Sequence, residues 1–375
     1  MFLFATRHCG YALVRNNRAS GPAAARHLAI ADGCHNLTTQ RRGWGPVHHD
    51  TTQRAYLLDL RGEVVVSGTL PAGLIAAAVA LLLCFCQPYG TALARDRSAA
   101  VTTNTNGDND KGAQIDSEHL FGLLEGSDIG DAGEKELELD ALGRFGKRGG
   151  SYAATSNALF FKYTAVENFR IAPMTSFSSH NISNVPGLQN RDQFRLEGAG
   201  VELRYRLLDR ERAPFGLTLS ALPQRTRIDE TIGLPVEQYA VEFTALIDKE
   251  LVADRLFGAL NVLYEPAWTR PWRTHEWERD ATVGVGAALS LQIAPGFFLG
   301  AGARYLWRYE GIGLDTLLGE AFFIGPSFYL KLPNQWFASG GWNVQVGGRA
   351  VGEALSLDLT NFERHEGRLQ VGFAF

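Results

Sequence analysis

From Glu136 to Phe375, apolar side chains recur at every second position, segment after segment. A period of two is the side-chain period of a β-strand and excludes the 3.6 of a helix. The pattern is cleanest where Ala281, Val283, Val285, Ala287, Leu289, Leu291 and Ile293 oppose Thr282, Gly284, Gly286, Ala288, Ser290 and Gln292. In the next segment Phe297, Leu299, Ala301, Ala303, Tyr305, Trp307 and Tyr309 oppose Gly300, Gly302, Arg304, Arg308 and Glu310. Seven apolar positions at this spacing reach about 40 Å along an extended chain. That is long for a soluble strand and suits a tilted strand that crosses a membrane.

About twelve such segments follow one another, starting near Glu136, Tyr152, Phe169, Gln193, Phe215, Val236, Leu256, Ala281, Phe297, Ala321, Trp336 and Phe362. Their connections alternate between two classes. Val166 to Asn168, Ala294 to Gly296 and Leu332 to Gln335 are tight turns, whereas 181–192, 269–280, 310–320 and 350–361 are longer loops. The 147–151 connection is short for its side, and 248–255 is long for its own. An even strand count with short turns at one end and long loops at the other specifies an all-β, antiparallel up-and-down transmembrane barrel over 136–375. Aromatic residues near the segment ends, among them Phe169, Phe215, Trp268, Trp307 and Tyr309, fit the two membrane interfaces.

The chain closes on RLQVGFAF, in which Leu369, Val371, Phe373 and Phe375 share one face and Arg368, Gln370, Gly372 and Ala374 the other. This ending resembles the closing strand of Gram-negative outer-membrane β-barrels, whose final aromatic residue and alternating apolar partners serve as an assembly signal. The resemblance implies an outer-membrane location, reached after export across the inner membrane. It also implies the barrel assembly machinery, outer-membrane lipids and lipopolysaccharide as partners.

Residues 1–65 show little periodicity and read as a disordered leader or as translated upstream sequence. Residues 66–94 read as a signal peptide: an apolar run from Leu74, a break at Pro88 and Gly90, and the small-x-small site Ala92-Leu93-Ala94. The apolar run to Cys86 falls short of the roughly 20 residues that a membrane-spanning helix needs. Residues 95–135 read as a flexible periplasmic segment, polar to Asp116 and then carrying a short apolar cluster, His119 to Leu124, with room for one short helix. That stretch is similar to the start of uncharacterised barrel proteins of this kind.

A net charge of -4 gives no reason to expect nucleic acid. Cys9, Cys34, Cys84 and Cys86 all precede residue 90, so the barrel has neither a disulfide framework nor a thiolate metal site, and no cofactor is expected. Side-chain direction places ten basic groups in the lumen: Arg144, Lys162, Arg170, Arg204, Arg206, Arg304, Arg308, Lys331, Arg349 and Arg368. It places seven acids with them: Glu136, Glu138, Asp140, Glu202, Glu242, Glu310 and Glu366. A barrel of this width lies between those filled by side chains and those with a broad aqueous channel. The expectation is therefore a narrow passive channel for small hydrophilic solutes, with an excess of positive charge that favours anions. The other classes are an outer-membrane barrel enzyme, lipase-like or protease-like, and a structural or adhesive barrel that displays its loops. The enzyme reading would rest on His180 with Ser178 and Ser179, His275 with Glu276 and Glu278, or His365 with Glu366. None of these sits in a nucleophile motif of the G-x-S-x-G type, and the expectation is that the chain is not an enzyme.

Overall fold

A strand in lipid must have every backbone amide and carbonyl paired within the protein, which only a closed sheet provides. The computed structural model describes residues 115–375, and the strands there close on themselves. The leader, the signal peptide and the part of the flexible segment before residue 115 lie outside the described residues. The strands are β1 (Lys135–Phe145), β2 (Ser151–Val166), β3 (Phe169–Ser183), β4 (Arg191–Leu208), β5 (Gly216–Ile228) and β6 (Pro235–Val252). They continue as β7 (Leu256–Pro271), β8 (Glu278–Ala294), β9 (Phe297–Glu310), β10 (Thr316–Lys331), β11 (Trp336–Ala350) and β12 (His365–Ala374). Each pairs antiparallel with its sequence neighbour, and β1 pairs with β12 from Glu136↔Ala374 to Phe145↔His365. The twelve-stranded antiparallel barrel expected from the alternation is the fold. No described helix is long and apolar enough to cross a membrane.

Side chains sort as a membrane barrel requires. Leu289, Ile293, Leu299, Phe243, Trp336, Leu369 and Phe375 remain exposed on the outer face, whereas Glu138, Arg170, Glu202, Arg204 and Gln370 are buried in the lumen. At the closing strand, Phe373 stacks on Trp336 with ring centroids 4.7 Å apart and lies 5.5 Å from Phe375.

The strand boundaries depart from the alternation where it runs out. β8 and β10 begin at Glu278 and Thr316, earlier than Ala281 and Ala321: the first three residues of β8 are charged, and in β10 a register shift between Leu317 and Gly319 breaks the alternation. The connection that reads as a long 248–255 turn is short, since β6 continues to Val252 and β7 resumes at Leu256. Two bulges change which side chains point inward. Between Phe322 and Phe323 the β10–β11 register shifts, with Phe322 opposite Gly347 and Phe323 opposite Gln345. An extra residue in a period-two strand reverses the face of every later residue. Arg349, expected in the lumen, is therefore exposed on the outer face, and Ala350 is buried. A second shift, between Ser176 and Phe177, leaves Glu197 as the extra residue of β4 and buries it.

Candidate functional site: a plugged, carboxylate-rich lumen

Residues 115–134 form a succession of turns without regular helix or strand, and they occupy the half of the lumen nearer the short turns. Their anchorage begins with apolar contact. Leu120 and Phe121 are buried with Phe257, Phe298, Tyr329 and Phe337, which face inward near the turn-side ends of β7, β9, β10 and β11. Burying two such side chains contributes about 1.5–3 kcal/mol each. Small residues on the wall make the space. A Cβ at Gly286 would collide with Leu124 Cδ2, one at Gly341 would lie 3.0 Å from Leu123 Cδ1, and one at Gly122 2.6 Å from Ser327 Cβ. The backbone is tied as well: Glu125 N–H donates to Asn261 Oδ1 (2.9 Å), and Asn261 Nδ2 donates to the Glu125 carbonyl (2.8 Å). Thr164 Oγ1 donates to the Ile129 carbonyl (2.6 Å).

The segment's charges complete the lock. Buried Glu118 pairs with Lys162 (2.8 Å), with Arg170 (Nη2–Oε1, 2.7 Å) and with Arg204 (3.2 Å). Burial pushes its carboxyl up, but Arg170, Lys162, His119 and Arg204 together hold it well below the usual carboxylate range. Glu125 pairs with both Arg204 and Arg368. His119 stacks on Phe337 at 4.1 Å and faces Glu138 (3.4 Å), Glu136 (3.7 Å) and Glu118 (3.8 Å). Burial and Lys162 push its imidazole down, yet Glu118, Glu138 and Glu136 outweigh them and hold it up at about 9. Asp128 is pushed up to about 7 by burial against the pull of Arg210, with Asp248 and Asp116 adding to the rise. His119, Glu136 and Glu138 bring potential metal-ligating atoms within 4.8 Å of one another. The Lys162 ammonium stands among the carboxylates, 2.8 Å from each of Glu118, Glu136 and Glu138, in the place a cation would take.

Beyond the plug lies a chamber of about 320 Å³ that begins at Leu123, Leu124 and Glu125. At its loop end, the 229–234 connection folds inward: Tyr152 Oη donates to the Thr231 carbonyl (2.8 Å), and Gln193 Nε2 to the Gly233 carbonyl (2.7 Å). The last long loop also turns in, burying Phe362 against Leu306 and Phe323, while Lys147 meets Glu363 at 2.9 Å.

The structure brings Arg144, Arg170, Glu202, Arg204, Glu242, Arg304, Arg308 and Arg368 into this lumen and, with the exception of Glu242, pairs them. Arg144 meets Glu230 (2.9 Å), Arg170 meets Glu202 (3.2 Å), and Arg204 meets Glu202 (2.7 Å). Arg308 meets Asp280 (2.6 Å), Arg368 meets Asp140 (2.6 Å), and Arg304 meets Glu366. Arg206 keeps the inward phase but sits at the turn-side rim, donating to the Glu167 carbonyl (2.7 Å). Lys331 and Glu310 are exposed at strand ends, and Arg349 faces outward.

Along the chamber the expected excess of positive charge is reversed. Nine carboxylates line it against six basic side chains: Glu125, Glu197, Asp229, Glu230 and Glu265 join the wall, while Glu136, Glu310 and Glu366 and the basic Arg170, Arg206, Lys331 and Arg349 lie outside it. Three of the nine, Glu197, Glu242 and Glu265, make no ion pair among the described residues. The pairings Ala240↔Ala267 and Phe243↔Tyr264 put Glu242 opposite Glu265 on adjacent strands, and like charges so placed repel.

The histidine arrangements weighed from the sequence do not assemble. His180 Nε2 lies 3.1 Å from the Glu230 carbonyl, and neither its Nδ1 nor Ser178 Oγ has a hydrogen-bond partner among the described residues. His275 is exposed in its loop, and His365 Nδ1 accepts from Trp342 Nε1 at 3.4 Å.

A family described as one of unknown function (DUF6662) matches residues 113–375. No curated protein matches the chain. Among solved structures, the chain is similar to an outer-membrane channel from Pseudomonas putida F1, at 12% identity and a TM-score of 0.45, over 66% of this chain and 98% of that one. It is similar to the β-domain of a Bordetella autotransporter, at 12% identity and a TM-score of 0.42, over 65% and 100%. It is also similar to the translocator domain of an autotransporter from Neisseria meningitidis, at 14% identity and a TM-score of 0.42, over 66% and 91%.

Proposed function

We propose that this chain, which belongs to the DUF6662 family of unknown function over residues 113–375, is a narrow passive channel of the Gram-negative outer membrane, with residues 115–134 as its internal gate. Its solutes are small and hydrophilic, and cations pass more readily than anions. The observation that carries this reading is the chamber wall: nine carboxylates against six basic groups, lining a polar cavity that ends on a segment outside the strand ladder. An internal charge can stay in a barrel only if it is paired or hydrated. The basic groups are ion-paired, whereas Glu197, Glu242 and Glu265 form no ion pair among the described residues; hydroxyls of Ser156 and Thr244 donate to Glu197 and Glu242, and water and mobile cations are left to balance their charge. Charge on a narrow wall sets which ions enter, most strongly at low salt where screening is weak.

Reversal potentials across a KCl gradient test the selectivity. The wild-type barrel should prefer potassium to chloride, and the double variant Glu242→Gln, Glu265→Gln should lose most of that preference while still conducting. A wild-type pore that prefers chloride would refute the cation reading. Unchanged selectivity in the double variant would remove these two residues from it.

A further inference from the structure

On the outer wall at the loop end, four strands present one continuous row. Arg225 lies opposite Tyr239, Tyr239 opposite Trp268, and Trp268 opposite Arg279. Arginines thus flank two aromatic rings across β5 to β8. In the neighbouring row Arg270 lies opposite Glu237, and that one carboxylate is shared by Arg270 and Arg225, the latter at 3.3 Å. The side chains of Arg225 and Arg270 remain 51% and 41% exposed despite the contact, and Arg279 is exposed with no ion pair among the described residues. Two guanidinium groups therefore share one carboxylate, and the third has none among the described residues. The Arg225 guanidinium also stands 5.6 Å from the centroid of the Tyr239 ring, which holds it against the wall.

We propose that this row is a binding site for a phosphorylated anionic lipid of the outer leaflet, with phosphate oxygens taken by the exposed guanidinium groups of Arg225 and Arg279 at its two ends. This rests on the outer-membrane placement above and is independent of whether the barrel conducts. Guanidinium groups match phosphate oxygens in a planar, two-pronged geometry and are weakly hydrated for a cation. Aromatic rings suit the boundary between headgroup and acyl chain. Toward the membrane centre the same face continues with Phe243 and Tyr264, whose rings stack at 6.4 Å and give acyl chains an apolar bed. A lipid satisfies both halves of this surface at once, the charged row and the apolar face below it. A soluble phosphate satisfies only the first.

Native mass spectrometry of the folded barrel in a neutral detergent tests the site, with phosphorylated lipid A as the probe. Dephosphorylated lipid A and inorganic phosphate serve as comparisons. Wild-type barrel should retain phosphorylated lipid A at least tenfold more tightly than the dephosphorylated form, and free phosphate should not compete at equal concentration. Arg225→Gln with Arg279→Gln should abolish the preference, each single variant should weaken it, and Arg349→Gln, on a distant stretch of the same outer surface, should not. Equal retention of the two lipids by the wild type would overturn the proposal, with no variant needed. So would a double variant that still discriminates between them, or displacement of the lipid by free phosphate.

Discussion

Replacing Glu118 with alanine should loosen residues 115–134 inside the barrel by about 3–5 kcal/mol, the cost of removing one partner from a buried ion-pair network. Glu118 is the carboxylate on which Lys162, Arg170 and Arg204 converge. Each retains another acid: Lys162 keeps Glu136 and Glu138, while Arg170 and Arg204 keep Glu202. The barrel ladder should therefore survive. Leu120 and Phe121 also keep their apolar contacts, so the segment should open often without leaving. Hydrogen exchange reads this directly. Amides of residues 117–128 should exchange about a hundred- to a thousand-fold faster, at about 1.4 kcal/mol per tenfold, while the strand amides keep their protection. Unchanged exchange in the segment would mean that the ion network contributes nothing to holding it.

Raising the pH should loosen the same segment, and the direction comes from two groups. The His119 imidazole is held up at about 9, so its contribution is complete below the ordinary value of 6.5 and is lost as the pH rises through 9. Its surroundings are Glu118 and Asp116 on its own segment, Glu136 and Glu138 on β1, and Lys162 on β2. Asp128 is pushed up to about 7, so its protonated form suits the folded site, and its contribution also fades as the pH rises from 3.8 past 7. The two effects have the same sign. Glu118 stays ionised throughout, since its carboxyl lies well below the usual range. A displacement of the size seen for His119 is worth on the order of 3 kcal/mol. Gate openings in planar bilayers should therefore become more frequent between about pH 6.5 and pH 9. His119→Gln should open more readily at low pH and flatten the profile. A wild-type gate that opens only on acidification would contradict the assignment.

The fold was legible because its cause is periodic. Alternation names a strand and its two faces, and a row of alternating segments with short and long connections leaves little besides a barrel. The closing face of Leu369, Val371, Phe373 and Phe375 points outward as the pattern requires, and Arg204, Arg304 and Arg368 point inward. Legibility failed where one extra residue broke the period. Val346 in β11 turns Arg349 outward, and Glu197 in β4 brings in a carboxylate without an ion pair; the only local mark is the glycine after each, Gly347 and Gly198, a signal shared by many other glycines in these strands.

The plug was half visible. Phe257, Phe298, Tyr329 and Phe337 fall in the inward phase, where a water-filled mouth would carry polar groups. Four inward aromatic residues at the turn ends signal that something apolar fills that mouth, and the cluster His119 to Leu124 is the nearby candidate. The glycines of the same phase, such as Gly286 and Gly341, carry the complementary signal, since the space they leave is taken by Leu124 and Leu123. The convergence of three cations on Glu118 was not readable, because it joins residues far apart in the chain, on three strands.

The central claim, a conducting barrel closed from within, is tested most directly by single-channel recording of two folded chains, 95–375 and the same chain lacking residues 115–134. The intact chain should show brief, small openings. The shortened chain should be open most of the time, with higher conductance and the same preference for cations. Silence from both chains, with each shown to be folded by its faster migration before heating on denaturing gels, would contradict the channel. Equal, steady conductance from both would contradict the gate.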